Sequence, residues 1–262
     1  MSLKELLTKP ESRAVAVTLC GEGGMGKTSL AATFPSPVFI RAEDGMESLG
    51  PNAPMAFPIA DSSQQVIDQL NMLGAEDHPY QTVVIDSVTK LNVLIEQEIV
   101  QADPKQPKSI NQANGGYGAG LQAAAERHRQ IKHLCDQLVR WKSMNVVFIA
   151  HADSELVELP DQDQYTRYTL RMGKRAVTHY SDDVDLVGFI KLKTFTRGDG
   201  DRKKAISDGT RIITCYPCAS HVSKNRYGIF EDLAFKQGTN PLAQHVPALN
   251  QQQSQPVNEV AA

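Results

Sequence analysis

The sequence predicts an α/β fold of three layers, with a mostly parallel central sheet and antiparallel strands toward its C-terminal end. Three observations predict it. Apolar, β-prone runs recur around Val17, Phe39, Val84 and Phe148, and strands buried on both faces of a parallel sheet look like this. Amphipathic stretches with helical spacing lie between them, at 62–73, 91–100 and 121–141. The runs end in a glycine loop or a polar side chain (Glu43, Asp86, His151), and parallel sheets collect ligand chemistry at those strand ends.

The elements follow in order. Residues 1–13 form a short polar lead in which Pro10 interrupts any helix. Val15, Val17 and Leu19 make a buried strand. The loop Gly21-Glu22-Gly23-Gly24-Met25-Gly26 leads to Lys27-Thr28-Ser29, which opens a helix over 29–33. Pro35 and Pro37 end that helix and set up the strand 38–40, followed by Arg41-Ala42-Glu43-Asp44. Residues 49–60 are proline-rich and irregular. A helix capped by Ser62 or Ser63 runs to Leu73, with Val66, Ile67, Leu70 and Leu73 on one face. The run 82–85 ends in Asp86-Ser87, and a helix follows from Leu91 to the Asp103-Pro104 stop.

Residues 101–120 read as a polar, glycine-rich mobile loop. The helix 121–141 puts Ile131, Leu134, Leu138 and Trp141 on its apolar face and His128 and His133 on its solvated face. The strand 146–150 ends in His151. Residues 153–164 form an acidic, polar loop, long enough to carry function. The last third is sheet and edge structure, with strand-like segments at 165–171, 184–192 and 211–215 and a hairpin with basic flanks at 193–204. Cys215, Cys218 and His221 resemble half a zinc site, but no second pair lies nearby, so a strand and turn is the better reading. The division expected is a lead at 1–13, a core at 14–237 and a disordered Gln/Pro/Asn-rich tail at 238–262.

Composition sets the outer limits. The chain has 262 residues, 41% of them hydrophobic, which suits one such domain. No apolar run approaches the roughly 20 residues of a membrane span, and no signal-peptide pattern opens the chain. A net charge of −3 argues against a uniformly basic nucleic-acid binder while leaving room for a local patch. Four cysteines suit reduced thiols and an intracellular setting.

The chemistry lies in four places. G-x-x-x-x-G-K-[ST] between a strand and a helix is the phosphate-binding P-loop, whose glycines let backbone amides curl around an anion. Residues 21–29 would hold the nucleotide, with Lys27 on the β/γ-phosphates and the Thr28 hydroxyl on Mg²⁺. Asp86 ends an apolar strand in the Walker B manner and would reach the same ion through water. Glu43, with Asp44 as a rival, would orient the attacking water. His151 would sense the γ-phosphate.

Taken together, GEGGMGKTSL, VFIRAEDG, TVVIDSVTKL and VVFIAH resemble the RecA-like ATPase core in order, with His151 where such proteins usually carry glutamine. The segment SKNRYG, holding Lys224 and Arg226, resembles the Lys-x-Arg-x-Gly element of DnaB-type helicases. The resemblance covers about residues 14–230 and comes nearest to phage proteins made of a RecA core alone, some of them single-strand annealing proteins. It implies an ATP- and Mg²⁺-dependent ATPase, stimulated by DNA, in the cytoplasm of an infected or lysogenic bacterium. Its implied partners are single-stranded DNA, other copies in a ring or filament, and a single-strand-binding protein or exonuclease. Lys224 and Arg226 would act in trans on a neighbour's γ-phosphate, with Arg171, Lys174 and Arg175 as the alternative cations. DNA would meet residues 153–164, 115–120 and 197–204. A nucleotide-dependent scaffold with little turnover and a small-molecule P-loop kinase are the other classes weighed.

Overall fold

The computed structural model describes residues 13–197 and 204–250. A ten-stranded sheet forms its centre. The strands are β1 (Ala16–Gly21), β2 (Pro37–Arg41), β3 (Met55–Ala56), β4 (Thr82–Asp86), β5 (Asn145–Leu159), β6 (Gln162–Leu170), β7 (Leu186–Arg197), β8 (Lys204–Thr214), β9 (Lys224–Asn225) and β10 (Leu233–Phe235). Their order is β10-β8-β7-β1-β5-β4-β2-β3. From β7 to β3 neighbouring strands are parallel, and β6, β8, β9 and β10 add antiparallel pairings. The predicted α/β class, with its antiparallel C-terminal strands, is the fold observed.

Successive strand residues face opposite layers. Val83, Ile85, Val146 and Phe148 point to one face, where α2 (Ser63–Ala75), α3 (Val88–Ala102) and α4 (Ala119–Trp141) cover them with Val66, Leu70, Leu91, Ile95, Ile131 and Leu138. Val17, Leu19, Val84, Val147 and Ile149 point to the other, covered by Leu30 and Ala31 of α1 (Lys27–Ala31) and by Phe34. Serine hydroxyls start two of the helices: Ser62 accepts from Gln65 N at 3.3 Å and Ser87 from Lys90 N at 3.2 Å, each satisfying a donor the helix itself leaves open.

Several expectations need correction. Residues 240–249 are not a disordered tail: 3₁₀ turns at Pro241–Gln244 and Pro247–Leu249 bury Leu242, Val246, Ala248 and Leu249 against the second face of the sheet. Residues 251–262 lie outside the described residues. The expected loop at 153–164 is a two-stranded ribbon, because β6 pairs with the extension of β5 from Ala152 to Leu159. Both ribbon faces are largely solvated, so no apolar alternation announces them. Gly120 sits buried in the first turn of α4 instead of in a mobile loop. A short helix, α5 (Val177–Ser181), interrupts the expected run of sheet structure.

His128 is fully buried rather than solvated: its ring nitrogens bond Tyr180 Oη at 2.8 Å and Asn92 Oδ1 at 3.1 Å. His133 is exposed as expected. Trp141 is 74% exposed, because α2 ends opposite it in Gly74 and Ala75, which are too small to cover an indole. The four cysteines are free, and burial pushes the thiols of Cys20, Cys135 and Cys215 up to about 12, which leaves them unreactive.

Candidate active site

The parallel strands stop at nearly one level, and that alignment builds the site. In register, Gly21 lies opposite His151, Ile149 opposite Asp86, and Asp86 opposite Arg41. The chain leaving β1 as the P-loop therefore meets side chains from β4, β5 and the turn after β2. Ala42 N donates to Asp86 O at 2.8 Å, tying two of those ends together. Above them opens a cleft of about 440 Å³ whose walls include Lys27, Thr28, Glu43, Asp86, His151 and Arg211.

Two glycines of the loop are dictated by space. A Cβ on Gly21 would fall 2.5 Å from Ile190 O of the neighbouring strand. Gly26 has φ +88°, which L side chains rarely adopt, and a Cβ there would sit 3.0 Å from an Arg211 guanidinium nitrogen. Lys27 is buried; its ammonium donates to Gly21 O at 2.9 Å and Glu22 O at 2.7 Å. Burial lowers its pKa, partly offset by Cys20, Asp86 and Glu43.

Thr28 Oγ1 donates to Asp86 Oδ2 at 2.8 Å. Burial raises the Asp86 carboxyl above its ordinary range, with the Thr28 hydrogen bond acting against that and the Glu43 charge adding to it. A hydroxyl and a carboxylate this close are hard oxygen donors, and they fit a magnesium ion that keeps much of its water.

Glu43 sits 3.2 Å from His151 Nε2. The hydrogen bond from His151 is the main influence lowering its pKa, and the Ser87 hydroxyl adds to it against partial burial. Glu43 is thus held as a carboxylate facing the cleft. Asp44 lines the cleft too but leans on Arg41 at 3.6 Å and is half exposed. His151 is fixed from behind, its backbone N–H donating to Thr89 Oγ1 at 2.9 Å.

The structure brings together Lys27, Thr28, Ser29, Gly24, Gly26, Glu43, Asp86 and His151. Other loop residues serve differently. Gly21 and Glu22 present carbonyls to Lys27, Gly23 is open to solvent, and Glu22 and Met25 face an adjacent hollow beside Tyr168 and Phe189.

Lys224 and Arg226 lie elsewhere. Lys224 pairs with Val187 near the start of β7 and donates to Asp182 O, and Arg226 bonds Asp185 at 2.9 Å. This is the far end of the sheet from the P-loop of the same chain. In the alternative cluster, Arg175 bonds Gly118 O and Gln122, whereas Arg171 is close enough for its charge to depress Lys27. Arg211 and Gln237, which also line the cleft, escaped sequence reading because no local motif contains them.

A family model described as an AAA domain (AAA_24) matches residues 13–227, which hold the P-loop, Glu43, Asp86, His151 and Arg211. The chain belongs to this AAA domain family. No curated protein matches it. Membership agrees with the sheet order and the P-loop site: this is a P-loop ATPase domain, built to bind a nucleotide. Among the described residues, no helix is long and apolar enough to cross a membrane.

Proposed function

We propose that this AAA domain protein hydrolyses ATP with Mg²⁺ and uses the cycle to handle single-stranded DNA, by annealing or strand transfer, during phage recombination or replication in the host cytoplasm. The observation that carries the hydrolytic part is the meeting of Lys27, Thr28, Asp86, Glu43 and His151 in one cleft at the strand ends. Phosphoryl transfer asks a protein mainly for positioning and electrostatic stabilisation, and each of these side chains has such a task.

Lys27 would exchange the Gly21 and Glu22 carbonyls for phosphate oxygens, gaining a charged partner for a buried ammonium. Thr28 and, through water, Asp86 would hold Mg²⁺, which neutralises charge on the phosphates when bound. Glu43, ionised and aimed by His151 and Ser87, accepts a hydrogen bond from water and orients its lone pair. His151 sits where β5 leaves the sheet and becomes the β5–β6 ribbon. A change in its bond to Glu43 is therefore passed to a projecting element.

Two ribbons, β5–β6 and β7–β8, extend past the end of β1 on the cleft side of the sheet. They supply exposed rings for stacking on bases: Tyr168 is 42% and Phe195 47% exposed, and the Lys193 ammonium lies 5.3 Å from the Phe195 ring. DNA contacts are assigned to these ribbons and to the glycine turn before α4; residues 198–203 of the basic hairpin lie outside the described residues. Lys224 and Arg226 would reach a neighbour's nucleotide in a ring or filament, with Arg171, Lys174 and Arg175 as the alternative source of that cation. A single-strand-binding protein or exonuclease would be the recombination partner.

The test is ATPase rate with and without single-stranded DNA. Stimulation supports the proposal. Phosphorylation of a small acceptor would make the protein a kinase, and tight ATP binding with neither effect would make it a scaffold.

A further inference from the structure

Arg211 belongs to β8, on the opposite side of β1 from Asp86, His151 and Glu43 in the sheet order. Register sets its height. Gly21, the last residue of β1, lies opposite Ile190, and two residues farther along β7 Leu192 pairs with Arg211. The guanidinium thus stands level with the P-loop rather than with the sheet. It is packed against Gly26, where a Cβ would come within 3.0 Å of one of its nitrogens, and it forms part of the cleft wall with Lys27 and Thr28. Arg211 is half buried, and among the described residues no carboxylate pairs with it.

A half-buried guanidinium with no carboxylate partner among the described residues, facing a polar cleft beside the buried ammonium of Lys27, suits an anion with several oxygens in fork geometry. We propose that Arg211 binds the phosphate chain of the nucleotide in cis, closing on it from the β8 side while Lys27 holds it from below. The proposal rests on the reading of this cleft as the nucleotide site. It assigns a phosphate ligand to a residue outside every loop motif, and it makes the space left by Gly26 serve a second purpose: passage of the arginine to the ligand.

The test measures equilibrium binding of ATP and of inorganic tripolyphosphate to the full-length protein, its Lys27→Ala variant and its Arg211→Ala variant. Arg211→Ala is expected to weaken both ligands by a similar factor, about tenfold or more. Binding of both within twofold of the parent protein would overturn the proposal. So would loss confined to ATP, because that pattern places Arg211 on the base or ribose. If the parent protein binds neither ligand, or Lys27→Ala binds both normally, the nucleotide reading itself fails instead. Should Arg211→Ala lose its cooperative thermal transition, Arg211→Gln, which keeps most of the side chain's packing, carries the same comparison.

Discussion

Thr28 Oγ1 donates to Asp86 Oδ2 at 2.8 Å across the width of an intervening strand, β5. This one bond joins the loop after β1 to the end of β4 and holds together the two oxygens proposed to bind Mg²⁺. Asp86→Asn should cut Mg²⁺-supported ATP turnover by on the order of 10² or more, the loss typical when one electrostatic group of a preorganised site is removed. Turnover within tenfold of the parent, measured across a Mg²⁺ titration, would take Asp86 out of the metal site.

The same substitution should raise stability. Burial lifts the Asp86 pKa, so its ionised form is disfavoured in the fold. A carboxyl with a raised folded pKa costs nothing below its unfolded pKa, and its cost grows as pH rises from there through the folded value, so it destabilises the fold toward neutral pH. Asparagine removes the charge and still accepts from Thr28. Asp86→Asn should melt a few degrees higher than the parent in EDTA at pH 7, with the gap closing as pH falls. A lower melting temperature would mean that the carboxylate stabilises the fold.

Glu43 has the opposite sign. The hydrogen bond from His151 is the leading cause of its lowered pKa, so the carboxylate survives into more acidic solution. His151→Ala should return Glu43 toward the ordinary carboxylate range and move the acid limb of the kcat profile to higher pH. An acid limb that stays put in this variant would separate Glu43 from the water-orienting role.

His128 links three elements, α4, α3 and α5, through Asn92 and Tyr180. Burial pushes its pKa down to about 3 from 6.5, so it is neutral in the fold and takes up a proton in the unfolded chain as pH drops below 6.5. Stability from this group is complete above 6.5 and is lost progressively toward pH 3. His128→Ala should cost about 3 kcal/mol at pH 7 by leaving the Tyr180 hydroxyl unpaired beside a cavity. His128→Gln should flatten the pH dependence of urea unfolding between pH 6.5 and 4. A parent-like slope in that variant would assign the acid sensitivity to the carboxylates instead.

What sequence could reveal depended on how local the cause was. The P-loop, Asp86 and Glu43 are set by strand-end patterns a few residues long, and these side chains converge in the structure. His128 was misplaced because a helical wheel marks a boundary position but not a tyrosine arriving from α5 to cover it. Arg211 needed the β7–β8 register, which no periodicity records. The C-terminal turns hid four apolar anchors, Leu242, Val246, Ala248 and Leu249, in a glutamine- and proline-rich background. The β5–β6 ribbon resembled a loop because strands solvated on both faces show no alternation.

Arg226 is the harder case, because in its own chain it shares Asp185 with Arg13, at 2.9 and 2.7 Å. Asp185 is buried and also accepts from Ala16 N, so it anchors the start of β1. Removing Arg226 could therefore lower turnover by loosening that anchor rather than by emptying a neighbour's site. Arg13→Ala is the control, since it takes away the other cation of the same carboxylate. If Arg226 acts in trans, Arg226→Ala should bind ATP normally and lose most turnover, on the order of 10³-fold for an arginine finger, while Arg13→Ala keeps its rate. Mixing Arg226→Ala with Lys27→Ala should restore part of the activity, because the first offers an intact P-loop and the second an intact arginine. Equal losses in the two arginine variants, with no rescue on mixing, would reduce Arg226 to a structural partner of Asp185.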